Sequence, residues 1–151
     1  QLLTMKSSEM MTAVLESEMY KYTVFRQNSQ KSIKLSNGYI ALFIGDNTPM
    51  WRLLLMALSL MDNEYRVLLV PSPVSIESVL DFKHKLKFNS IVFYQDGLWK
   101  NDETKNILNT TDHNKDIYLC GTAPYLSLSN KHEWVYKDVD ACMNVLLSQD
   151  R

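Results

Sequence analysis

The feature that most constrains the fold of this chain is the regular alternation of two kinds of segment that begins after Gly38. Short apolar runs of strand length alternate with segments whose apolar residues recur at helical spacing, and the runs cover residues 39–44, 67–70, 91–94, 117–120 and 134–136. Runs without in/out alternation are typical of parallel strands buried on both faces. Because strands and helices alternate strictly, the sequence predicts an α/β fold of flavodoxin-like type: a five-stranded parallel sheet with helices on both faces.

The intervening segments carry helix boundary signals. Pro49 is placed at a first helical turn, and Ser75 and Asp138 are placed to cap two further helices. Residues 102–108 indicate a short helix, whereas residues 123–133, which include Pro124, are predicted to form a loop. The first of these helices carries Trp51, Leu54, Leu55, Leu58 and Met61. The second has Ile76, Val79, Leu80 and Leu86 on its inner face, and the last carries Val139, Cys142, Val145 and Leu146.

Residues 1–37 precede this alternation, and we expect them to form a helix and a linker ahead of a domain at 38–151. The helix is predicted from about Ser8 to Arg26. Its apolar stripe consists of Met11, Val14, Leu15, Met19, Tyr22 and Phe25. Three roles stay open for it: packing on the domain, forming a homodimer, or continuing a neighbouring domain. The first residue, Gln1, favours a segment cut from a longer protein.

Composition excludes several classes of function. The formal net charge of −1 gives no electrostatic case for binding nucleic acid or an acidic membrane surface. No apolar run approaches the roughly 20 residues of a membrane span. Cys120 and Cys142 lack CxxC spacing and are interpreted as reduced core thiols, which favours the cytoplasm. His84, His113 and His132 show no spacing typical of a zinc site.

Polar residues cluster where the predicted strands end. Asp46 follows the first strand, Tyr94 and Asp96 stand at the end of the third, Thr122 follows the fourth, and Lys137 follows the fifth. Ligands of open parallel sheets bind at the carboxyl ends of the strands. We therefore expect these side chains to share one site.

The span from Tyr39 to Leu147 resembles the receiver domain of two-component systems. The residues that carry the resemblance are Gly45-Asp46-Asn47, Arg52-Leu53-Leu54-Leu55, Phe88-Asn89, Gly121-Thr122, and the spacing of Trp134 and Lys137. In that family an aspartate on the third strand takes a phosphoryl group and paired acids bind Mg²⁺. The family lysine neutralises phosphoryl charge, and the Ser or Thr hydroxyl moves toward it.

The sequence departs from the family at the reactive positions. Gly45 replaces one acid of the pair, Tyr94 stands at the acceptor position, and Asp96 lies two residues further on. The resemblance thus implies a pseudo-receiver, a bacterial signalling module that is not an enzyme and has no cofactor. It would contact kinase, phosphotransfer or regulator domains in a sensor kinase, phosphorelay protein or response regulator. Trp134 and Tyr136 are the predicted partner surface.

Two alternatives stay open. One is an active, Mg²⁺-dependent receiver that uses Asp46 as a metal ligand together with Asp96 and Lys137. The other is a truncated amino-terminal fragment of an adenylate-forming enzyme, a family that the chain resembles more weakly. That resemblance rests on Leu3-Thr4, Ile40-Ala41-Leu42, Asn47-Thr48-Pro49 and the loop candidate Cys120-Gly121-Thr122-Ala123-Pro124, which lacks the glycines and lysine of a nucleotide loop.

Overall fold

The computed structural model describes residues 2–30, 38–85, 90–99, 117–128 and 135–148, with the backbone alone at 2–6, 83–84 and 127–128. The elements are α1 (Leu2–Ser29), β1 (Tyr39–Ile44), α2 (Met50–Asp62), β2 (Arg66–Leu69), α3 (Ile76–Lys85), β3 (Ser90–Tyr94), β4 (Ile117–Cys120), α4 (Thr122–Leu128), β5 (Val135–Tyr136) and α5 (Val139–Ser148). The predicted helix at 102–108, the Phe88-Asn89 pair, Leu86 and Trp134 lie outside these residues.

The five strands form one parallel sheet in the order β2-β1-β3-β4-β5. This arrangement confirms the predicted flavodoxin-like α/β fold. Ile44 pairs with Tyr94, and Tyr94 pairs with Cys120. The carboxyl ends of the three central strands are therefore level, which places the loops that follow them side by side.

Each face of the sheet supports its own apolar core. Ile40, Leu42 and Ile44 point toward α2 and α5, whereas Ala41 and Phe43 point toward α3. Successive strand residues face opposite sides. A strand covered on both sides must therefore be apolar throughout, which explains the continuous apolar runs in the sequence.

Two predicted helix caps are confirmed. The backbone N–H of Ser78 donates to Ser75 Oγ at 3.2 Å, and that of Ala141 donates to Asp138 Oδ1 at 2.8 Å. Such a cap stabilises a helix start by about 1 kcal/mol. Pro49 occupies the position just before Met50, the first residue of α2, so it precedes the first turn by one residue.

The predicted loop at 123–133 is wrong in its first part, because α4 begins at Thr122. Pro124 is the third residue of that helix. N–H groups of a first turn have no intrahelical acceptor, so proline removes no hydrogen bond there. Ala123 and Pro124 are buried, and Tyr125 donates its N–H to the carbonyl of Gly121 at 3.1 Å.

The apolar residues of α2 are not all buried. Leu54 and Met61 are buried, but Trp51 and Leu55 are 37% and 48% exposed. The buried residues are Leu53, Leu54, Met56, Ala57, Leu60 and Met61. Because α2 is apolar nearly all round, helical spacing alone offers several stripes, and packing selects one of them. In the other two helices the described inner positions are buried, except that Val145 is half-buried.

Helix α1 is longer than predicted and packs by a different face. Gln27 Nε2 donates to the carbonyl of Val67 at 2.9 Å, and Gln30 Nε2 donates to that of Tyr65 at 2.8 Å. Arg26 forms a 2.6 Å ion pair with Asp62 of α2. Met19 is the one residue of the predicted stripe that packs against the core. Where α1 meets the edge strand β2, the contacts are made by polar side chains and not by the apolar stripe. Among the described helices, none has the length and apolar character needed to cross a bilayer.

Candidate functional site

A cavity of about 350 Å³ opens at the carboxyl ends of the strands. Its lining consists of Arg52, Tyr94, Asp96, Thr122, Tyr125, Leu126, Lys137 and Asp138. The fold thus brings together four of the five site residues predicted from the sequence. Asp46, the fifth, is exposed and does not line this cavity. Arg52, Tyr125, Leu126 and Asp138 were missed because their cavity positions depend on how α2, α4 and α5 pack.

Tyr94 occupies the last position of β3, with 2% of its surface exposed. Its hydroxyl donates to Asp96 Oδ2 at 2.7 Å. Burial raises the pKa of Tyr94 well above its ordinary value, and the hydrogen bond to the Asp96 carboxylate raises it further, while the positive charge of Arg52 opposes the rise. Tyr94 is therefore a neutral hydrogen-bond donor at physiological pH.

Asp96 is held on both its carboxylate and its backbone. Its Oδ1 accepts hydrogen bonds from the Thr122 N–H at 3.2 Å and from Thr122 Oγ1 at 3.5 Å. Its own N–H donates to Thr48 Oγ1 at 2.9 Å, and that hydroxyl donates to the carbonyl of Asp46 at 2.9 Å. Both oxygens of the Asp96 carboxylate thus already accept hydrogen bonds from neighbouring residues.

Gln95 fills the space beside Gly45. The Gln95 side chain is 8% exposed, and its Oε1 accepts a 2.9 Å hydrogen bond from Trp99 Nε1. A Cβ atom added at Gly45 would lie 2.7 Å from Gln95 Cδ and 2.9 Å from Gln95 Cβ. Position 45 therefore accepts no side chain unless Gln95 moves. A glycine at a strand end signals such a close approach, and the sequence carried that signal.

A glycine is also required at position 121, because the backbone there lies directly against Gln95. Its φ of +108° lies in the left-handed region that favours glycine. An added Cβ would lie 2.8 Å from the carbonyl carbon of Gln95 and 3.0 Å from Tyr94 Cδ1. The turn between β4 and α4 can thus lie directly against the end of β3, which brings the Thr122 N–H to the Asp96 carboxylate.

Two cations and a second acid complete the lining of the cavity. The side chains of Arg52 and Lys137 are exposed, and the Arg52 guanidinium carbon lies 4.9 Å from the centre of the Trp51 ring. Asp138 is committed to the cap of α5 through Ala141. Lys137 follows β5, as predicted, and lines the same cavity as Asp96.

The described residues contain no group of three or more His, Cys, Asp or Glu side chains that could hold a metal ion. Asp96 lines the cavity, whereas Asp46 does not. Mg²⁺ needs an oxygen shell of near-octahedral geometry.

The predicted partner surface is only partly described. Tyr136 is half-buried, and its ring stacks on that of Tyr118 with centroids 6.0 Å apart and planes inclined by 28°. Trp134 lies outside the described residues. The exposed apolar side chains nearest the cavity are instead Tyr125 and Leu126 of α4, at 37% and 67%.

No protein-family model matches the chain, and no curated protein matches it either. The resemblance to receivers therefore depends on the motif residues quoted above. Flavodoxin-like folds host many unrelated activities, so the fold alone assigns none.

Proposed function

We propose that this chain is a receiver-like signalling module that acts through protein–protein contacts and is not phosphorylated. It would work in the cytoplasm of a bacterial cell, as part of a sensor kinase, phosphorelay protein or response regulator. The observation that carries the proposal is the hydrogen bonding of the Asp96 carboxylate. Its carboxylate is bonded to Tyr94 on one oxygen and to Thr122 on the other.

Four features oppose phosphoryl transfer. A tyrosine at position 94 cannot form the acyl phosphate that an aspartate forms. Gln95 closes the position at Gly45 where the family has a second acid. Asp46 is exposed and does not line the cavity that Asp96 lines. The Asp96 carboxylate already accepts hydrogen bonds on both oxygens, which makes it a poorer nucleophile than a free carboxylate.

The hydrogen bonds of Asp96 support a module that is held in one conformation. In receivers, the hydroxyl residue after the fourth strand moves toward a bound phosphoryl group. In this chain Thr122 follows the fourth strand, and it donates hydrogen bonds to the Asp96 carboxylate, which is part of the protein itself. A fixed negative charge of this kind would hold the start of α4 in one position without phosphorylation. The partner would meet the α4 surface, where Leu126 is exposed beside the cavity.

Treatment with acetyl phosphate and Mg²⁺, followed by intact-mass measurement, tests the first part. We expect no gain of a phosphoryl group under conditions that modify an active receiver run in parallel. Addition of beryllofluoride with Mg²⁺ should likewise leave the tryptophan fluorescence unchanged. Phosphorylation that maps to Asp96 and is lost in Asp96→Asn would overturn the proposal in favour of an active receiver.

Titration with isolated kinase and phosphotransfer domains tests the second part. We expect binding that Leu126→Glu weakens at least about tenfold, since it places a charge in the contact surface. Leu55→Glu is the matched control, because Leu55 is an exposed leucine on α2 that does not line this cavity. Equal loss in both variants, or in neither, contradicts the assignment of the α4 surface.

Binding of ATP would favour the adenylate-forming alternative. Residues 120–124, its candidate nucleotide loop, lie at the end of β4 and in the first turn of α4. Because this segment lacks the glycines and lysine of a nucleotide loop, titration calorimetry with ATP should show no heat of binding.

A further inference from the structure

Helix α1 carries a second apolar face that the described residues leave uncovered. Six side chains on it are between 51% and 68% exposed: Met10, Met11, Val14, Leu15, Tyr22 and Phe25. Single exposed apolar residues are ordinary, but a contiguous patch requires an explanation.

The six side chains lie on one side of α1, in two groups at residues 10–15 and 22–25. At 100° per residue they fall within an arc of about 140°. The residues that attach α1 to the rest of the fold, such as Met19, Thr23 and Gln30, lie on the other side of the helix. A shallow groove along this face is lined by Ser7, Met10, Met11, Val14 and Leu15. We call the six exposed apolar residues the outer face of α1.

The outer face is large and apolar. All six side chains are more than half exposed, and clustered exposed apolar side chains mark interaction sites on protein surfaces. Aromatic and methionine side chains, which interfaces favour, make up four of its six members.

The charges on the outer face indicate what covers it. Glu18 lies near the middle of this arc and Lys21 nearer to one edge, and the two form a 3.2 Å ion pair exposed to solvent. Apolar residues flank this pair on both sides, Met11 and Val14 toward the amino end and Tyr22 and Phe25 toward the carboxyl end. These four residues are symmetric about Glu18, whereas Met10 and Leu15 correspond to Arg26 and Lys21.

We propose that the outer face binds a second copy of this chain, with the two α1 helices antiparallel. A two-fold axis near Glu18 pairs Met11 with Phe25 of the second copy and Val14 with its Tyr22. The same axis places the two Glu18 side chains opposite each other and brings each Lys21 within about one helical turn of both, so two cations offset the two acids. Such a self-complementary surface is what a two-fold dimer requires. This inference goes beyond the proposed function and does not depend on it.

Sedimentation velocity on the whole chain, over a concentration series, tests for the dimer. We expect a monomer–dimer equilibrium whose dissociation constant rises at least about tenfold in Val14→Glu, because the new charge is buried at the interface. Ala13→Glu is the matched control: Ala13 is exposed on the same helix but outside the outer face. Circular dichroism should show equal helix content in all three proteins. A monomer at every concentration, or equal weakening by both variants, would overturn the proposal and leave the outer face to a different partner.

A charge-reversal mixture tests the contact between copies without relying on a disruptive variant. Glu18→Lys gives a wholly basic centre, and Lys21→Glu gives a wholly acidic one. Each variant alone should dimerise more weakly than the parent chain, and an equimolar mixture should form the heterodimer. Failure of the mixture to associate better than the single variants would contradict the pairing.

Cross-linking tests the antiparallel direction. Met11→Cys and Phe25→Cys should form a disulfide with each other when mixed and oxidised, because the axis places them opposite. In the same arrangement two copies of Met11→Cys hold their thiols about 20 Å apart along the helix. Cys120 and Cys142 are buried and do not compete. Preferred cross-linking of Met11→Cys to itself would show a parallel dimer and overturn the two-fold axis proposed here.

Discussion

The hydroxyl of Tyr94 donates a 2.7 Å hydrogen bond to Oδ2 of Asp96. Tyr94 thus holds one oxygen of this carboxylate. Thr122 donates its N–H to the other oxygen. The three residues therefore form one hydrogen-bonded arrangement, in which Asp96 serves as a structural anion.

Tyr94→Phe should lower the free energy of unfolding by about 1–2 kcal/mol at neutral pH, because it removes a hydrogen bond to a carboxylate. The effect should depend on pH. The pKa of Tyr94 is raised in the folded state, so its stabilisation is complete below about pH 10, the ordinary tyrosine value, and is lost as pH rises through the folded-state pKa. Urea unfolding at a series of pH values up to the alkaline limit measures both.

The difference between the parent chain and Tyr94→Phe should shrink as pH rises above about 10. Tyr22→Phe is a suitable control, because Tyr22 is 51% exposed and has no contact with Asp96. If the difference in unfolding free energy between the parent chain and Tyr94→Phe stays constant across the alkaline range, the hydrogen bond from Tyr94 to Asp96 is contradicted.

Gly45→Ala should destabilise the fold by about 1–3 kcal/mol, the usual range for overpacking, because the new Cβ would meet Gln95. Gln95→Gly removes the obstructing side chain at some cost of its own. In that background the further cost of Gly45→Ala should be smaller by at least about 0.5 kcal/mol. A double-mutant cycle of denaturation free energies gives this coupling, and strictly additive costs would show that Gln95 does not close position 45.

Cys120 and Cys142 should resist alkylation in the folded protein. Both are fully buried, and burial raises the pKa of the Cys120 thiol well above its ordinary value, with a further rise from its hydrogen bond with Cys142. The thiolate is the reactive species, so neither access nor ionisation favours modification. Mass spectrometry after iodoacetamide treatment should show no adduct under native conditions and two adducts in denaturant. Rapid native labelling of either thiol would place it outside the core.

Gln27→Ala should lower the free energy of unfolding by about 1 kcal/mol, because it removes the donor to the carbonyl of Val67. Asn28→Ala, next to it and exposed on the same helix, should change the stability by less than about 0.5 kcal/mol. Thermal and chemical unfolding of the two variants measure the contrast. Similar values for both would mean that α1 is attached to the edge of the sheet by other contacts.

Sequence patterns predicted the strands well because burial on both faces leaves an unambiguous signal. The bounds of β1 and β4 match the predicted runs at Tyr39–Ile44 and Ile117–Cys120. The polar residues at the strand ends could also be placed, since parallel strands bring their carboxyl ends together. Tyr94, Asp96, Thr122 and Lys137 accordingly line one cavity.

The errors arose where local pattern does not determine packing. Pro124 was taken as a helix breaker, although a first-turn proline costs no hydrogen bond. The spacing of the apolar stripe of α1 left three roles open, and it could not show that Gln27 and Gln30 bond to the edge of the sheet. The role of Gln95 against Gly45 depends on two strand ends that are 50 residues apart in the sequence and adjacent in space. Spacing within one segment cannot reveal such a contact.

The bond from Gln27 to Val67 also bears on how this chain avoids misassembly. Strand β2 forms one border of the sheet, and an uncovered border can template the addition of a strand from another molecule. With Gln27 bonded to that carbonyl, α1 shields the border. Cleavage or melting of α1 would expose it, so a chain trimmed of its first helix should form thioflavin-binding aggregates that the whole chain does not. The helix that we infer to join two folded copies would then also be the one that prevents their uncontrolled polymerisation.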